Sequence, residues 1–556
     1  MIRLLAFALL LVLNGNLLQS QSDKPKLIVG VVIDQMRFDH LYKYQDRFSN
    51  GGFKRLLREG FNYKNTHYNY IPTVTAAGHA SIYSGTTPSV HGIIGNTWYD
   101  RSTKQTITNI GDTNELIVGT EDLNSYGASP GNLLTSTITD QLRMGSNFRA
   151  KVISVSLKDR GAILAGGHTA NAAYWHDWKA SPGYFVSSSY YMEELPDWVT
   201  KFNKLEKSDS YLTDSWSTLY PIDSYKMSAP DDNNYERAIA GKTSATFPYD
   251  YKSMRERFKE LGAEFQLIWV TPAGNSLLTD FAIEAIKSEK LGADEITDFI
   301  NISYSVPDAM GHTFGPQSVE FEDMILRLDR DIENLLKSLD ATVGTGNYSL
   351  FLTSDHGSVP VASYLADNKL PAGIANIKQY GVALLSHLNS KYGTNQWIEN
   401  FEGESIYLNR DLIKQKKLSL STVQREVADF MISLEEVTGA LSAADLQTHS
   451  YSYGMNQMLQ NGYHSKRSGD VLLVFKPGYV QNLDPRITMQ RIKGTTHGSG
   501  YAYDTHVPML WFGKSIPKGQ SLRKVSVTDI APSIAQMLNI QYPSGTSGDP
   551  LIELFD

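Results

Sequence analysis

Phe299-Ile-Asn-Ile-Ser-Tyr-Ser305, then apolar residues at 321, 325, 328, 332, 335 and 339, then Tyr348-Ser-Leu-Phe-Leu-Thr353, is the stretch that sets the architecture. Its two ends are short apolar runs and read as buried strands. Between them Phe321, Ile325, Leu328, Ile332, Leu335 and Leu339 recur by three and four, which predicts a helix with one apolar stripe. Strand, helix, strand in that order is a βαβ unit. Comparable runs at Leu27 to Ile33, Lys151 to Leu157 and His506 to Phe512 read as further parallel strands, and Asp529 to about Leu538 as a helix with Thr528 as N-cap and Pro532 in its first turn. The expected fold is α/β, with a doubly wound, mostly parallel central sheet. Residues 171–260 and 366–485 fit the alternation poorly and are expected to be insertions that form a cap over the sheet's catalytic edge. The core then comprises about 24–170, 261–365 and 486–556 of a single domain, 21–556.

Bulk properties narrow the function. The chain has 556 residues, a formal net charge of −8 and scattered Lys and Arg, so nothing points to a nucleic-acid partner. Met1-Ile-Arg3 followed by the apolar run Leu4 to Leu13 and a polar stretch reads as a signal peptide, residues 1–20, cleaved near Ser20 and Gln21. That run is about half the ~20 residues a membrane span needs, so no stable membrane anchor is expected. Cysteine is absent, which excludes disulfides and thiolate ligands and leaves His, Asp and Glu for any metal. Export without disulfides suits a bacterial periplasm.

In an open α/β sheet, ligands bind beyond the carboxyl ends of the strands. Asp34 follows the first run, Lys158 and Arg160 the second, Asp308 and His312 the third, and Asp355 and His356 the fourth. One such Asp alone is an ordinary turn former or helix cap, but four strands ending this way suggest a site. Asp308 and His312 are four apart and can face one ion across a helical turn. Asp355 and His356 are adjacent and need a bend, which Gly357 makes easy. His497, in Gly-Thr-Thr-His-Gly-Ser, is either a ligand or a loop residue. Three His and three Asp suffice for two ions with three ligands each, and oxygen and nitrogen ligands with open positions suit catalytic zinc. Thr75, where a loop becomes a helix, is either a nucleophile beside unpaired N–H groups or an N-cap. His506 reads as structural, and His79 and His91 as scaffold. His168, Tyr174, Trp175 and Trp178 line either a substrate entrance or a core.

The segments Val-Val-Ile-Asp34-Gln-Met-Arg, Pro-Thr-Val-Thr75-Ala, Gly-Asn96-Thr-Trp-Tyr-Asp, Ser-Leu-Lys158-Asp-Arg160, Asp308-Ala-Met-Gly-His312-Thr-Phe-Gly-Pro, Ser-Asp355-His356-Gly and Gly-Thr-Thr-His497 resemble, in order and nearly end to end, the alkaline phosphatase superfamily. Within it the chain is similar to the phosphate-irrepressible, PafA-type alkaline phosphatases of Bacteroidetes. The resemblance implies a phosphomonoesterase with two zinc ions, one held by Asp308, His312 and His497 and the other by Asp34, Asp355 and His356 beside the nucleophile Thr75. It also implies that Asn96, Lys158 and Arg160 hold the phosphoryl oxygens. Small-molecule phosphomonoesters are the expected partners and a monomer the expected state. The nearest alternative is a phosphodiesterase or nucleotide pyrophosphatase of the same superfamily, against which Lys158 and Arg160 argue; a non-catalytic phosphate-binding protein is the remote one. A sulfatase would need a Cys or Ser in a Cys/Ser-x-Pro-x-Arg context, which Thr75-Ala-Ala-Gly-His does not match, and a cofactor-independent phosphoglycerate mutase uses a Ser nucleophile and manganese.

Overall fold

Side chains of the strand Leu27–Ile33 alternate between two hydrophobic cores, as the period of two in a strand requires. Leu27, Val29, Val31 and Ile33 pack with the helices Val319–Leu339 and Ala273–Ser288. Ile28 and Val32 pack with Thr75–Ser84 and Ile530–Leu538. Both faces of the sheet are therefore covered by helices, the doubly wound arrangement. The computed structural model describes residues 24–120, 126–178, 183–240, 242–484 and 486–555; the expected signal peptide and its cleavage point lie outside them.

Among the described residues the main sheet has eleven strands. At its centre Tyr348–Thr353, Leu27–Ile33, Asp298–Tyr304, Val152–Ser156 and Ala172–Asp177 lie side by side and parallel. Beyond them the pairing turns antiparallel, at Met509–Gly513 on one side and Tyr184–Ser188 on the other, so the sheet as a whole is mixed. The strand read across His506 to Phe512 as parallel is corrected twice. His506–Val507 pairs with Thr66–His67 in a separate three-stranded sheet, and Met509–Gly513 joins the main sheet antiparallel to Tyr348–Thr353. Pro508, without an N–H, interrupts the ladder between them. The start of the last helix also differs. Ser526 and Asp529 form a capping box around a short 3₁₀ turn, so Thr528 lies inside the turn rather than capping it.

The two stretches expected to be insertions behave differently. Ala172–Asp177 and Tyr184–Ser188, placed by sequence in the first, are strands of the main sheet. Tyr174 and Trp175 are accordingly buried core residues. The second, 366–485, builds a four-stranded sheet from Ile398–Glu402, Ser405–Leu408, Val471–Phe475 and Val437–Ser442. With the helices Ile377–Tyr392 and Leu420–Ile432 it encloses a core of its own around the fully buried Trp397.

Candidate active site

The expected site residues converge where four neighbouring parallel strands end. Asp34 follows Ile33 directly, and its N–H donates to Tyr304 O (2.9 Å), holding it at the adjacent strand's end. Asp308 and His312 lie on the helix Val306–Phe314, one turn apart on the same face, with Asp308 Oδ1 3.1 Å from His312 Nε2. Asp355 and His356 follow the strand Tyr348–Thr353. His497 arrives from its loop, its Nε2 3.5 Å from Asp308 Oδ1 and its ring stacked on that of His356 at 3.6 Å. Asp34, Asp355 and His356 offer atoms close enough for one ion, as the resemblance implies. Around Asp308 the second such group is completed by His356 and His497, while His312 meets the same carboxylate from its own helix.

Each histidine is oriented by the main-chain carbonyl of another residue. Nδ1 of His312 bonds Thr495 O (2.8 Å), that of His356 bonds Gly357 O (2.9 Å), and that of His497 bonds Thr73 O (2.9 Å). A carbonyl only accepts, so Nδ1 carries a proton in each ring and Nε2 faces the carboxylates; beside Asp308 the His312 pKa is raised above its ordinary value, burial opposing and the carboxylate prevailing. Asp34 Oδ1 and Asp355 Oδ2 are buried and accept no hydrogen bond among the described residues. Such oxygens are costly unless a cation serves them. Burial, reinforced by neighbouring carboxylates, raises the Asp34 and Asp355 pKa values, and burial holds His356 neutral. Asp308 runs the other way: burial opposes ionisation, but His312 and Lys158 outweigh it and hold the carboxyl well below its usual range. Lys158 Nζ bridges Asp34 Oδ2 (2.6 Å) and Asp308 Oδ2 (2.5 Å). Three carboxylates against one ammonium, with three aligned imidazoles, form a donor set that fits divalent metal ions.

Thr75 is the first residue of its helix, and the extended Val74 takes the N-cap position. Thr75 is buried, with Oγ1 3.5 Å from His356 Nε2. The N–H of Ala76 donates to Asn96 Oδ1 (3.0 Å), which places Asn96 beside Thr75. Arg160 stands in the first turn of the helix Asp159–Gly166; its buried Nε has no partner among the described residues.

These positions can be set against known proteins. The chain matches the Type I phosphodiesterase / nucleotide pyrophosphatase family over residues 28–500. It belongs to this family, within the alkaline phosphatase superfamily. Its relatives include a protein of Myroides odoratus named calcium-transporting ATPase, 41% identical over 96% of this chain and 95% of that one. Alkaline phosphatase PhoV of Synechococcus elongatus is 41% identical over 96% of this chain and 93% of its own length. Alkaline phosphatase PafA of Elizabethkingia meningoseptica is 39% identical over 96% and 94%. A solved structure of wild-type PafA superposes with a TM-score of 0.89 at 38% identity, covering 96% of this chain and 99% of that one.

Several residues of this phosphodiesterase-family site escape a reading of the sequence. Gln35, at φ 65°, donates from its side chain to Asp308 Oδ1 (2.7 Å) and from its main chain to Asp355 Oδ1 (3.2 Å), tying the two groups together. A polar residue directly after Asp34 was its only signal. Gly311 makes room for it, since a Cβ there would lie 1.8 Å from Gln35 Oε1. Gly357 serves close approach and not a left-handed bend: a Cβ would meet Tyr503 O at 2.2 Å. His79 bonds Thr75 O (2.9 Å) and Ser303 Oγ (2.8 Å), and His91 bonds Ser81 Oγ, both around the helix Thr75–Ser84. His506 bonds Lys64 O and stacks between Phe38 and His67, apart from the cluster. His168 bonds Thr135 O.

Proposed function

We propose that this chain is a zinc-dependent alkaline phosphatase that hydrolyses phosphomonoesters through a phosphothreonine on Thr75. The observation that carries the reading is Thr75 Oγ1 at a helix start, 3.5 Å from His356 Nε2, between the carboxylate–histidine cluster and Asn96. Full-length relatives named as alkaline phosphatases support the activity. A solved PafA variant with a Thr, an Asn, a Lys and an Arg replaced, spaced as Thr75, Asn96, Lys158 and Arg160 are here, supports the choice of residues. Asp34, Asp355 and His356 would hold one zinc and Asp308, His312 and His497 the other. Bound there, zinc supplies Lewis-acid polarisation and lowers the pKa of a hydroxyl beside it.

Thr75 gives up its hydroxyl proton as Oγ attacks phosphorus, the ester oxygen leaves with the electron pair of its P–O bond and takes up a proton as the alcohol, and the phosphoryl group rests on Thr75. Water then attacks the phosphothreonine, releasing inorganic phosphate and restoring the hydroxyl. Asn96 Nδ2 and the N–H groups at the helix start would donate to the phosphoryl oxygens, the Ala76 N–H by exchanging Asn96 Oδ1 for phosphate, and Arg160 would add a forked contact. Were Asp34 and Asp308 to hold metal ions, the Lys158 ammonium that now bridges them would be available to the phosphoryl dianion. The residues 366–485 roof this edge. The substrates are small phosphomonoesters met by a monomer in the periplasm; among the described residues no helix is long and apolar enough to cross a membrane.

The name of the matched family and that of the Myroides relative favour two other substrates for the same site, a diester and a phosphate anhydride. The test is Thr75→Ala against Thr75→Ser, each assayed on a monoester, a diester and ATP. Thr75→Ala is expected to lose roughly a thousandfold or more in kcat on the monoester, with Ser retaining more. Near wild-type turnover by Thr75→Ala, or a diester hydrolysed faster than the monoester, refutes the reading.

A further inference from the structure

A cavity of about 200 Å³ opens between the roof and the site. Val74, the residue before Thr75, and His497 are among its lining, so it adjoins the site. Phe475, Tyr479 and Tyr503 form an aromatic wall. Into it projects Glu404, from the turn between the roof strands Ile398–Glu402 and Ser405–Leu408. The turn is pinned by the N–H of Leu473 donating to Glu404 O (2.9 Å), and Gln481 Nε2 donates to Glu404 Oε1. That oxygen comes within 3.9 Å of the point a Cβ on Gly498 would occupy, next to His497.

The charge of this cavity is negative. Asp504, also lining it, is buried and accepts from Ser499 N (2.8 Å) and Oγ (2.6 Å). Its one lysine, Lys476, is matched elsewhere, 3.5 Å from Glu435 and 5.8 Å over the Tyr479 ring. A carboxylate facing aromatic rings is the chemistry that recognises an ammonium group. Burial pushes the Glu404 carboxyl up to about 7, so it is ionised in the alkaline range.

We propose that Glu404 selects phosphomonoesters whose leaving alcohol carries an ammonium group, by pairing with that group in this cavity; the proposal rests on the phosphomonoesterase reading above. The experiment compares kcat/KM of the zinc-loaded protein for 2-aminoethyl phosphate and for the neutral n-propyl phosphate at about pH 8.5, where the amine is still protonated. Both esters meet the same sample, so partial unfolding of a variant cancels in the ratio. The wild type is expected to favour the aminoethyl ester by about tenfold or more, the size of one charge-assisted contact. Glu404→Gln should bring the ratio to near one, and Glu404→Lys should invert it. A wild-type ratio near one, or a high ratio unchanged in Glu404→Gln, overturns the proposal. Hydrolysis of neither ester by the wild type overturns the phosphomonoesterase reading itself, and the proposal with it.

Discussion

The roof, 366–485, and the segment from about 189 to 260 both interrupt the alternation of strand and helix, yet they bury their apolar residues in opposite ways. Trp216, Tyr249 and Phe258 of the earlier segment share one core with Leu27 and the other odd positions of the central strand. The roof keeps a separate core around Trp397 and meets the rest of the molecule through two smaller apolar clusters, one around Ile71, Leu459 and Leu472 and one around Val359, Val480 and Ile492, and through polar contacts. Arg467 Nη1 donates to Gly92 O and Asn132 O, Arg101 pairs with Asp470, and Asn461 Nδ2 donates to Asn69 O. The difference teaches where change is tolerated. A segment sharing the main core cannot move without disturbing the strand ends that hold the site, whereas a self-supporting roof can alter the cavity above the site and leave the chemistry below it in place.

The largest effect expected from this contrast is on activity. Chelation should abolish turnover, and zinc should restore it better than magnesium or calcium, because imidazole and carboxylate together suit a borderline ion. Metal content measured on the purified protein should approach about two zincs per chain, the number six ligands in sets of three can hold. Full activity in metal-stripped protein would falsify the reading.

A smaller effect separates the two segments by stability. Trp397→Ala should cost the roof about 3–5 kcal/mol, the range for emptying a buried aromatic site. Hydrogen exchange should then quicken across 366–485 and hardly change in the strand Leu27–Ile33. Trp216→Ala should quicken exchange in that strand as well. Equal spread from both variants would show that the roof is not self-supporting.

The smallest effect is a pH dependence built into the contact between the earlier segment and the helix Val319–Leu339. Glu320 on the long helix is fully buried, accepts from Tyr249 OH (2.5 Å), and lies against Glu236. Burial raises both carboxyls, Glu320 to about 7. A carboxyl whose folded pKa exceeds its unfolded value binds its proton more tightly when folded, so stability falls as pH rises from about 4.5 through about 7. Tm should drop over that window, and less in Glu320→Gln. An equal drop in the variant would assign the slope to other groups.

Much of this architecture was legible because it is local. The apolar spacing from Phe321 to Leu339 and the coherent polar ends of four strands need no knowledge of distant contacts. Strand direction was not legible: Met509–Gly513 is as apolar as a parallel strand, and only its pairing with Tyr348–Thr353 shows that it runs the other way. Pro508 was the available sign that His506–Val507 stands apart. Ala172–Asp177 was misplaced because its Tyr, Trp and His look like insertion residues, although the first two are buried in cores on opposite sides of the sheet. At the site, residue types and order suggested which groups meet, but the bridge made by Gln35 and the sharing of His356 between two groups depend on the fold. Lys158 shows the same limit, since its place between Asp34 and Asp308 could not be read from its spacing to Arg160.

The most direct test of the account is the ratio of kcat/KM for a phosphomonoester to that for a methyl diester with the same leaving group, in the wild type and in Lys158→Ala/Arg160→Ala. Zinc occupancy is confirmed in both proteins and one pH is used. A monoester dianion offers one more charged oxygen, and charge-assisted contacts to it are worth roughly 1.5–3 kcal/mol each, about one to two decades apiece. The two residues serve one group, so their effects need not add. The account predicts a wild-type ratio well above one that falls by at least about a decade in the double variant. Equal losses on both esters, leaving the ratio unchanged, would contradict it and favour a diesterase.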